Sequence, residues 1–335
     1  MTLKDINLNK TMFITHCDLD GTIPIVLNRF FQINYSKEIM SNYGEDLEIS
    51  SLESGQYENV IYVDFAPNEK AREIIKSKNI KCLVIDHHIA AKPEIEQFCE
   101  NYSNSEYIFD NEKCGTKLYY EWLVNQNGYK GNDVSDKIVE LTNTYDLYKQ
   151  DSSLFDEADK MNRLLYSSCA WYVLKDNPSD RISAYKTFIN SMLWKTQNMK
   201  EFKFVAWEME KILKDIQKSN DIFNDLIKNS AKEISTRKDS KGEYFAVFKC
   251  NSKISEVANR LLKKFPKLSY CVVINEYDEN SPKISLRAKS GFDLLKLNYV
   301  KGHSEAAGVD AESVNIKEFA EKLKKREIFE FGYKD

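Results

Sequence analysis

Glycine and proline are scarce in this 335-residue chain, at 11 and 6 residues. That scarcity excludes collagen-like and low-complexity chains and favours long regular elements. The seven cysteines are odd in number, scattered and nowhere spaced as CxxC, which argues against a disulfide framework or a zinc knuckle. No apolar run approaches the roughly 18 residues that a membrane span needs, and the opening MTLKDINLNK has no signal-peptide core. A reduced, soluble, cytoplasmic protein is expected. Positive charge is not in excess either. With 48 basic and 52 acidic side chains the formal charge is −4, which argues against a protein that coats long duplex nucleic acid.

What is present is a 42% hydrophobic chain, long enough for two domains. Three apolar runs, at 12–15, 60–63 and 82–85, each end on ligand-type side chains: His16, Asp18 and Asp20; Asp64; and Asp86, His87 and His88. Short Val/Ile-rich runs separated by helix-length segments read as buried parallel strands, with crossover helices predicted over 24–31 and 69–78. In such sheets ligands gather outside the carboxyl ends of the strands. Residues 179–241 contain no glycine or proline, and 199–234 alternates apolar and charged residues at helical spacing, so one or two long helices are expected as a connector. Beyond residue 242 the pattern predicts strands over 244–248, 270–274 and 283–287, a helix over 255–265 and a terminal helix over 317–325. Residues 1–240 carry −8 and residues 241–335 carry +4, an acidic part suited to cations and a basic part suited to an anion.

In an extended turn, residues i, i+2 and i+4 share a side, so His16, Asp18 and Asp20 can converge while Cys17 points away. Gly21 then lets the chain turn sharply into the next helix. The mixed carboxylate–imidazole set suits Mn²⁺ or Mg²⁺ first, with Co²⁺ or Zn²⁺ as alternatives. Of the four histidines, three lie beside aspartates at predicted strand ends, and the fourth, His303, lies in the small-residue loop GHSEAAG. Cys114-Gly115-Thr116 reads as a helix start with Thr116 as cap.

THCDLDG at 15–21, the isolated Asp64, the Asp86-His87-His88 triplet and Asp146 in NTYDLY resemble, in order, the four motifs of DHH phosphoesterases. Ser285-Leu286-Arg287 and the loop at 302–308 are similar to the associated DHHA1 substrate-binding domain. The resemblance implies an α/β protein with a doubly wound parallel-sheet DHH domain (1–195), a long helical connector (196–240) and a smaller α/β DHHA1-like domain (241–335). It implies two divalent cations, Mn²⁺ first with Mg²⁺ or Co²⁺ as alternatives. His16, Asp18 and Asp64 would hold one; Asp20, Asp64, His87 and Asp146 the other, with Asp64 bridging. Asp86 would orient His87, and His88 would reach a phosphate oxygen. Arg287, Lys301, Gly302 and His303 would bind substrate, although Gly302 alone stands where the family loop has several glycines before its histidine. The implied activity is hydrolysis of short oligoribonucleotides to nucleoside monophosphates. The alternatives are a 3′-phosphoadenosine 5′-phosphate phosphatase, a soluble cyclic-dinucleotide phosphodiesterase, and a non-catalytic nucleotide-binding regulator. The implied partners are a short RNA or small nucleotide, without long duplex or membrane, and a second copy of the chain in a homodimer.

Overall fold

The first strand, β1 (Thr11–His16), is flanked on both sides by parallel neighbours. With β2 (Lys37–Ser41), β3 (Asn59–Val63), β4 (Lys81–Asp86) and β5 (Ser105–Phe109) it forms one parallel sheet in the order β2-β1-β3-β4-β5. The computed structural model describes residues 1–42, 45–170, 173, 180–229, 234–276, 282–302, 305–310, 313–325 and 331–334. The chain divides into two units, Met1–Leu213 and Lys214–Asp335. That boundary falls inside one helix, α10 (Ala206–Lys228), so the stretch 196–240 is shared between the units.

In the first unit, alternation along the strands sends side chains to both faces. Met12, Ile14, Val60, Tyr62, Cys82 and Val84 are buried against α2 (Leu47–Ser54), α3 (Glu69–Ser77) and α4 (Lys92–Glu100). On the opposite parity, the Phe13 ring packs against Tyr119 of α5 (Gly115–Glu121) at 5.4 Å between centroids. Central strands covered on both faces read as continuous apolar runs, which is why β1, β3 and β4 are visible in the sequence. The edge strands β2 (KEIMS) and β5 (SEYIF) keep charged and partly exposed residues. They lack the run, and the predicted three-strand set misses them.

The strand order changes direction between β1 and β3, and connecting loops diverge at such a point to leave a crevice. Helix α1 (Leu19–Phe30) starts there with Asp18 as N-cap, accepting from Gly21 N–H at 2.9 Å. The predicted start at Pro24 is five residues late, because proline here lies inside the helix. Pro24 has no N–H for the Asp20 carbonyl; the Thr116 hydroxyl donates to that oxygen instead. Further helices α6 (Asp133–Asp146), α7 (Phe155–Ser168), α8 (Arg181–Ala184) and α9 (Lys186–Asn198) complete the unit before α10.

The second unit has a six-stranded sheet in the order β10-β11-β9-β8-β7-β6. Its strands are β6 (Ser235–Lys238), β7 (Tyr244–Lys249), β8 (Leu268–Asn275), β9 (Lys283–Ala288), β10 (Val300–Gly302) and β11 (Ala306–Val309). Only the β7–β8 pair is parallel, joined through α11 (Ile254–Lys264). Val257, Ala258 and Leu261 of α11 pack on one face with Phe248 and Val273. Phe319, Ala320 and Leu323 of α12 (Ile316–Lys324) pack on the other with Phe245, Tyr270 and Leu286. Among the described residues no helix is long and apolar enough to cross a membrane.

One fully buried ion pair ties α9 to the start of α10. Lys195 Nζ lies 2.8 Å from Glu208 Oε2, and both side chains are 0% exposed. Lys195 also donates to the Lys203 carbonyl at 2.7 Å, and Val205 N–H donates to Glu208 at 2.8 Å. Removing one member strands the other charge in a dry site. Lys195→Met should therefore destabilise the first unit by about 3–5 kcal/mol, read as a lower urea midpoint; a loss below about 1 kcal/mol would mean that the pair behaves like an exposed one.

Candidate metal centre

The carboxyl ends of β1, β3 and β4 meet at one edge, where α1 adds residues of its amino-terminal end and α6 its last residue. His87 Nε2 lies 3.2 Å from Asp64 Oδ1, 3.4 Å from Asp146 Oδ2 and 3.8 Å from Asp20 Oδ2. His16 Nδ1 lies 2.9 Å from Asp18 Oδ2 and 3.8 Å from Asp64 Oδ2. Three overlapping donor sets result: His16, Asp18 and Asp64; Asp20, His87 and Asp146; and Asp64, Asp86, His87 and His88, each with donor atoms within 4.8 Å of one another. The six residues read as metal ligands thus meet at one place, and Asp64 stands between the first two sets.

Each carboxylate is held by a different device. Asp18 uses Oδ1 as helix cap and presents Oδ2 to His16. Asp20, 1% exposed, accepts Gly115 N–H at 2.7 Å and Thr116 N–H at 2.8 Å from the first turn of α5. The small-residue turn at 114–116 therefore orients a ligand; Thr116 is not the cap, a position taken by Cys114. Asp64 follows β3 in a left-handed conformation with φ of 54°, which Asp tolerates better than most residues. Asp146 is the last residue of α6. Asp86 Oδ1 bonds His88 Nδ1 at 2.7 Å and accepts His87 N–H at 2.8 Å. The expectation that Asp86 orients the His87 ring is thus corrected: its ring partner is His88, because Nδ1 of the residue two places on curls back to the carboxylate.

Two glycines work by close approach. A Cβ on Gly115 would lie 2.6 Å from Asp64 Cβ, and one on Gly21 would lie 2.0 Å from the His16 carbonyl oxygen. Gly21 thus lies within α1 against the backbone of a ligand, rather than making the sharp turn expected of it. Cys17 donates its thiol to Asn42 Oδ1 at 2.6 Å, and burial pushes its pKa up to about 11.

The electrostatics separate these groups. Burial, and then the charges of Asp20, Asp18, Asp146 and Asp86, push the Asp64 carboxyl well above its ordinary range. Burial, Asp20, Asp18 and Asp86 do the same to Asp146. Burial opposes charge on Asp18 too, yet His16 and the Gly21 N–H hold it low. Burial and the neighbouring His88 lower His87, keeping it neutral and suited to bind a metal. Against burial, the Asp86 hydrogen bond raises His88. Asp64 Oδ2 and Asp146 Oδ2 are buried and meet no hydrogen-bond donor among the described residues. Orphaned carboxylate oxygens beside imidazole nitrogens are what a borderline-hard divalent cation satisfies, so the donors fit such an ion.

In the second unit, Arg287 Nε and Nη2 lie 3.1 and 2.6 Å from Ser255 Oγ. Lys301 Nζ lies 3.0 Å from Asp310. Gly302, at φ of 137°, approaches β11 so closely that a Cβ would lie 2.8 Å from Ala307 Cα. His303 lies outside the described residues.

No family model matches the chain. It is similar to a 3′,5′-cyclic-nucleotide phosphodiesterase of Helicobacter pylori, 24% identical over 94% of this chain and 97% of that protein. A DHH domain from a member of a family of ribosomal proteins shares the fold with a TM-score of 0.61 at 12% identity, covering 96% of this chain and 87% of the other. RecJ of Thermus thermophilus, solved in complex with Mn²⁺, does so with a TM-score of 0.51 at 12% identity, covering 96% and 53%. The fold is that of the DHH proteins. The chain carries the motifs of that fold in the same order and gathers them at one sheet edge.

The raised carboxyls have a signed consequence. An acid whose pKa is higher folded than unfolded contributes stability fully present below the ordinary carboxyl pKa and lost as pH rises through the folded value. Cation-free protein should therefore lose melting temperature from about pH 4 towards neutrality, and lose less of it in Asp64→Asn, which keeps the left-handed backbone; identical pH profiles would contradict the assignment. Gly115→Ala should displace Asp64 and cut turnover by about 100-fold, with native circular dichroism; wild-type turnover would show that the backbone gives way harmlessly.

Proposed function

We propose that the chain is a two-cation phosphodiesterase that hydrolyses short oligoribonucleotides to nucleoside monophosphates. The observation that carries this reading is the sharing of Asp64 between the His16–Asp18 pair and His87. His16, Asp18 and Asp64 would hold one divalent cation, and Asp20, Asp64, His87 and Asp146 the other, with Mn²⁺ first and Mg²⁺ or Co²⁺ as alternatives. Cations held there supply Lewis-acid activation of water and neutralise charge on the phosphoryl oxygens.

The chain's own residues do the rest. His87, whose pKa is lowered by burial and by His88, would offer Nε2 as a donor atom. Asp86 holds the His88 ring through Nδ1 and favours its charged form, so a contact to a substrate phosphate oxygen runs through Nε2 with opposite charge facing it. Arg287, Lys301, Gly302 and His303 of the second unit are proposed to bind the substrate's phosphate end, and their basic surroundings suit a short anion. A short RNA or small nucleotide as substrate, a second copy of the chain as partner, and a place in the cytoplasm belong to this reading.

A second reading is favoured by the Helicobacter pylori relative, which matches this chain over nearly its whole length and is named for 3′,5′-cyclic nucleotides. The bond attacked is the same 3′,5′ phosphodiester, closed into a ring.

With Mn²⁺ present, a 5′-phosphorylated RNA dinucleotide should be cleaved to monophosphates faster than 3′,5′-cyclic AMP, 3′-phosphoadenosine 5′-phosphate or a cyclic dinucleotide, and a chelator should stop the reaction. Faster opening of 3′,5′-cyclic AMP would favour the second reading, and binding without turnover of any of the four would leave a nucleotide-binding regulator. Arg287→Ala should raise KM by an amount equal to about 1.5–3 kcal/mol with kcat little changed; an unchanged KM would place the phosphate contact elsewhere.

A further inference from the structure

His16 and Asp18 stand on either side of one residue, Cys17, so whatever holds Cys17 constrains the backbone that carries both donors. The carbonyl and the thiol of Cys17 are both engaged. Its carbonyl accepts the Tyr185 hydroxyl at 3.2 Å, and its thiol donates to Asn42 Oδ1 at 2.6 Å. Asn42 is tied in turn: its backbone N–H and its side-chain Nδ2 donate to the two oxygens of Glu45, both at 3.1 Å. Those oxygens receive Arg181 as a fork, Nη1 at 2.7 Å and Nη2 at 2.6 Å, and Nη1 also donates to the Met40 carbonyl of β2 at 3.0 Å. Arg181, 9% exposed, opens the short helix α8, and Tyr185 follows directly after that helix.

From this geometry we infer that Tyr185 and the Arg181–Glu45 pair are positioning residues for the His16–Asp18 cation donors, an inference that rests on the cation reading of the site. The brace has two arms, and both come from residues 181–185. One arm reaches the Cys17 carbonyl directly; the other reaches its thiol through Glu45 and Asn42. A bidentate Arg–carboxylate pair adds geometric specificity to its strength, because both partners are planar and two parallel bonds fix their orientation. The second donor set is held by other means. Asp20 is gripped by the Gly115 and Thr116 amides, and Asn143 Oδ1 accepts the adjacent Cys114 N–H at 3.0 Å. Loosening the brace therefore affects one donor set and spares the other. Partners that orient metal ligands set affinity without touching the ion.

The test is Mn²⁺ binding to the full-length chain by isothermal titration calorimetry, with no substrate present. Asp18→Asn identifies which binding step belongs to the His16–Asp18 set. Tyr185→Phe, which removes one hydroxyl, and Glu45→Gln, which breaks the charged fork, should each weaken that same step by about 10–100-fold and leave the other step within about twofold. Arg181→Lys keeps the charge but loses the fork and should weaken the same step. If Asp18→Asn moves a step that neither Tyr185→Phe nor Glu45→Gln moves, the positioning role is wrong while the cation reading stands. If both steps weaken together with a lower melting temperature, the residues serve the fold in general and the positioning role is again wrong. If wild-type protein binds no Mn²⁺, or Asp18→Asn moves no step, the cation reading itself fails and the inference falls with it.

Discussion

The first unit is organised around a crowd of carboxylates that cannot all be charged on their own. Asp20, Asp64 and Asp146 each bring an oxygen within 3.8 Å of one imidazole nitrogen, Nε2 of His87. In a buried setting like charges at that spacing oppose one another strongly. Hydrogen bonds and neighbouring imidazoles hold two of the carboxyls at this edge low, whereas burial and mutual repulsion push two others high. Asp18 has the Gly21 amide and His16, and Asp86 has His88 and two backbone amides, and both carboxyls are held low. Asp64 and Asp146 each keep a buried oxygen that accepts no hydrogen bond among the described residues, and burial with the neighbouring carboxylates pushes both high. The cluster could hold a metal ion, whose positive charge would offset that repulsion.

Building that crowd imposes strict demands on the backbone. A parallel sheet brings three strand ends to one edge, and the change of strand order between β1 and β3 opens the space above it. The few glycines matter most where main chain must touch main chain, as Gly21 does beneath His16 and Gly115 beneath Asp64. Pro24 removes one helical hydrogen bond from the Asp20 carbonyl, and Thr116 restores a donor there, so α1 and α5 are joined at the residue that carries a ligand. The left-handed Asp64 is a local cost of about 1–3 kcal/mol, tolerated where its carboxylate must turn towards two donor sets at once.

Much of this is legible in the amino-acid sequence. The apolar runs of β1, β3 and β4 are continuous because those strands are covered on both faces, and each run ends where its ligands begin. The edge strands β2 and β5 are not legible, since solvent on one side permits Lys37, Glu38 and Glu106 and erases the run. Pairings across long sequence separations leave no local trace. Nothing near Asp20 announces the Gly115 and Thr116 amides, 95 and 96 residues away, and nothing near Cys17 announces Tyr185, 168 residues away. Asp86 shows the same limit at short range: adjacency suggests His87 as its ring partner, whereas side-chain geometry selects His88. Asn143, three residues before Asp146, reaches the Cys114 amide, so NTYDLY carries one residue for the ligand set and another for the turn that supports it.

The shared carboxylate of Asp64 is the centre of the account, and anomalous diffraction at the manganese edge from Mn²⁺-soaked crystals tests it most directly. Two peaks about 3.5–4 Å apart, with Asp64 contacting both, His16 and Asp18 at one, and Asp20, His87 and Asp146 at the other, are the predicted result. A single peak, or two peaks of which Asp64 touches only one, would contradict it.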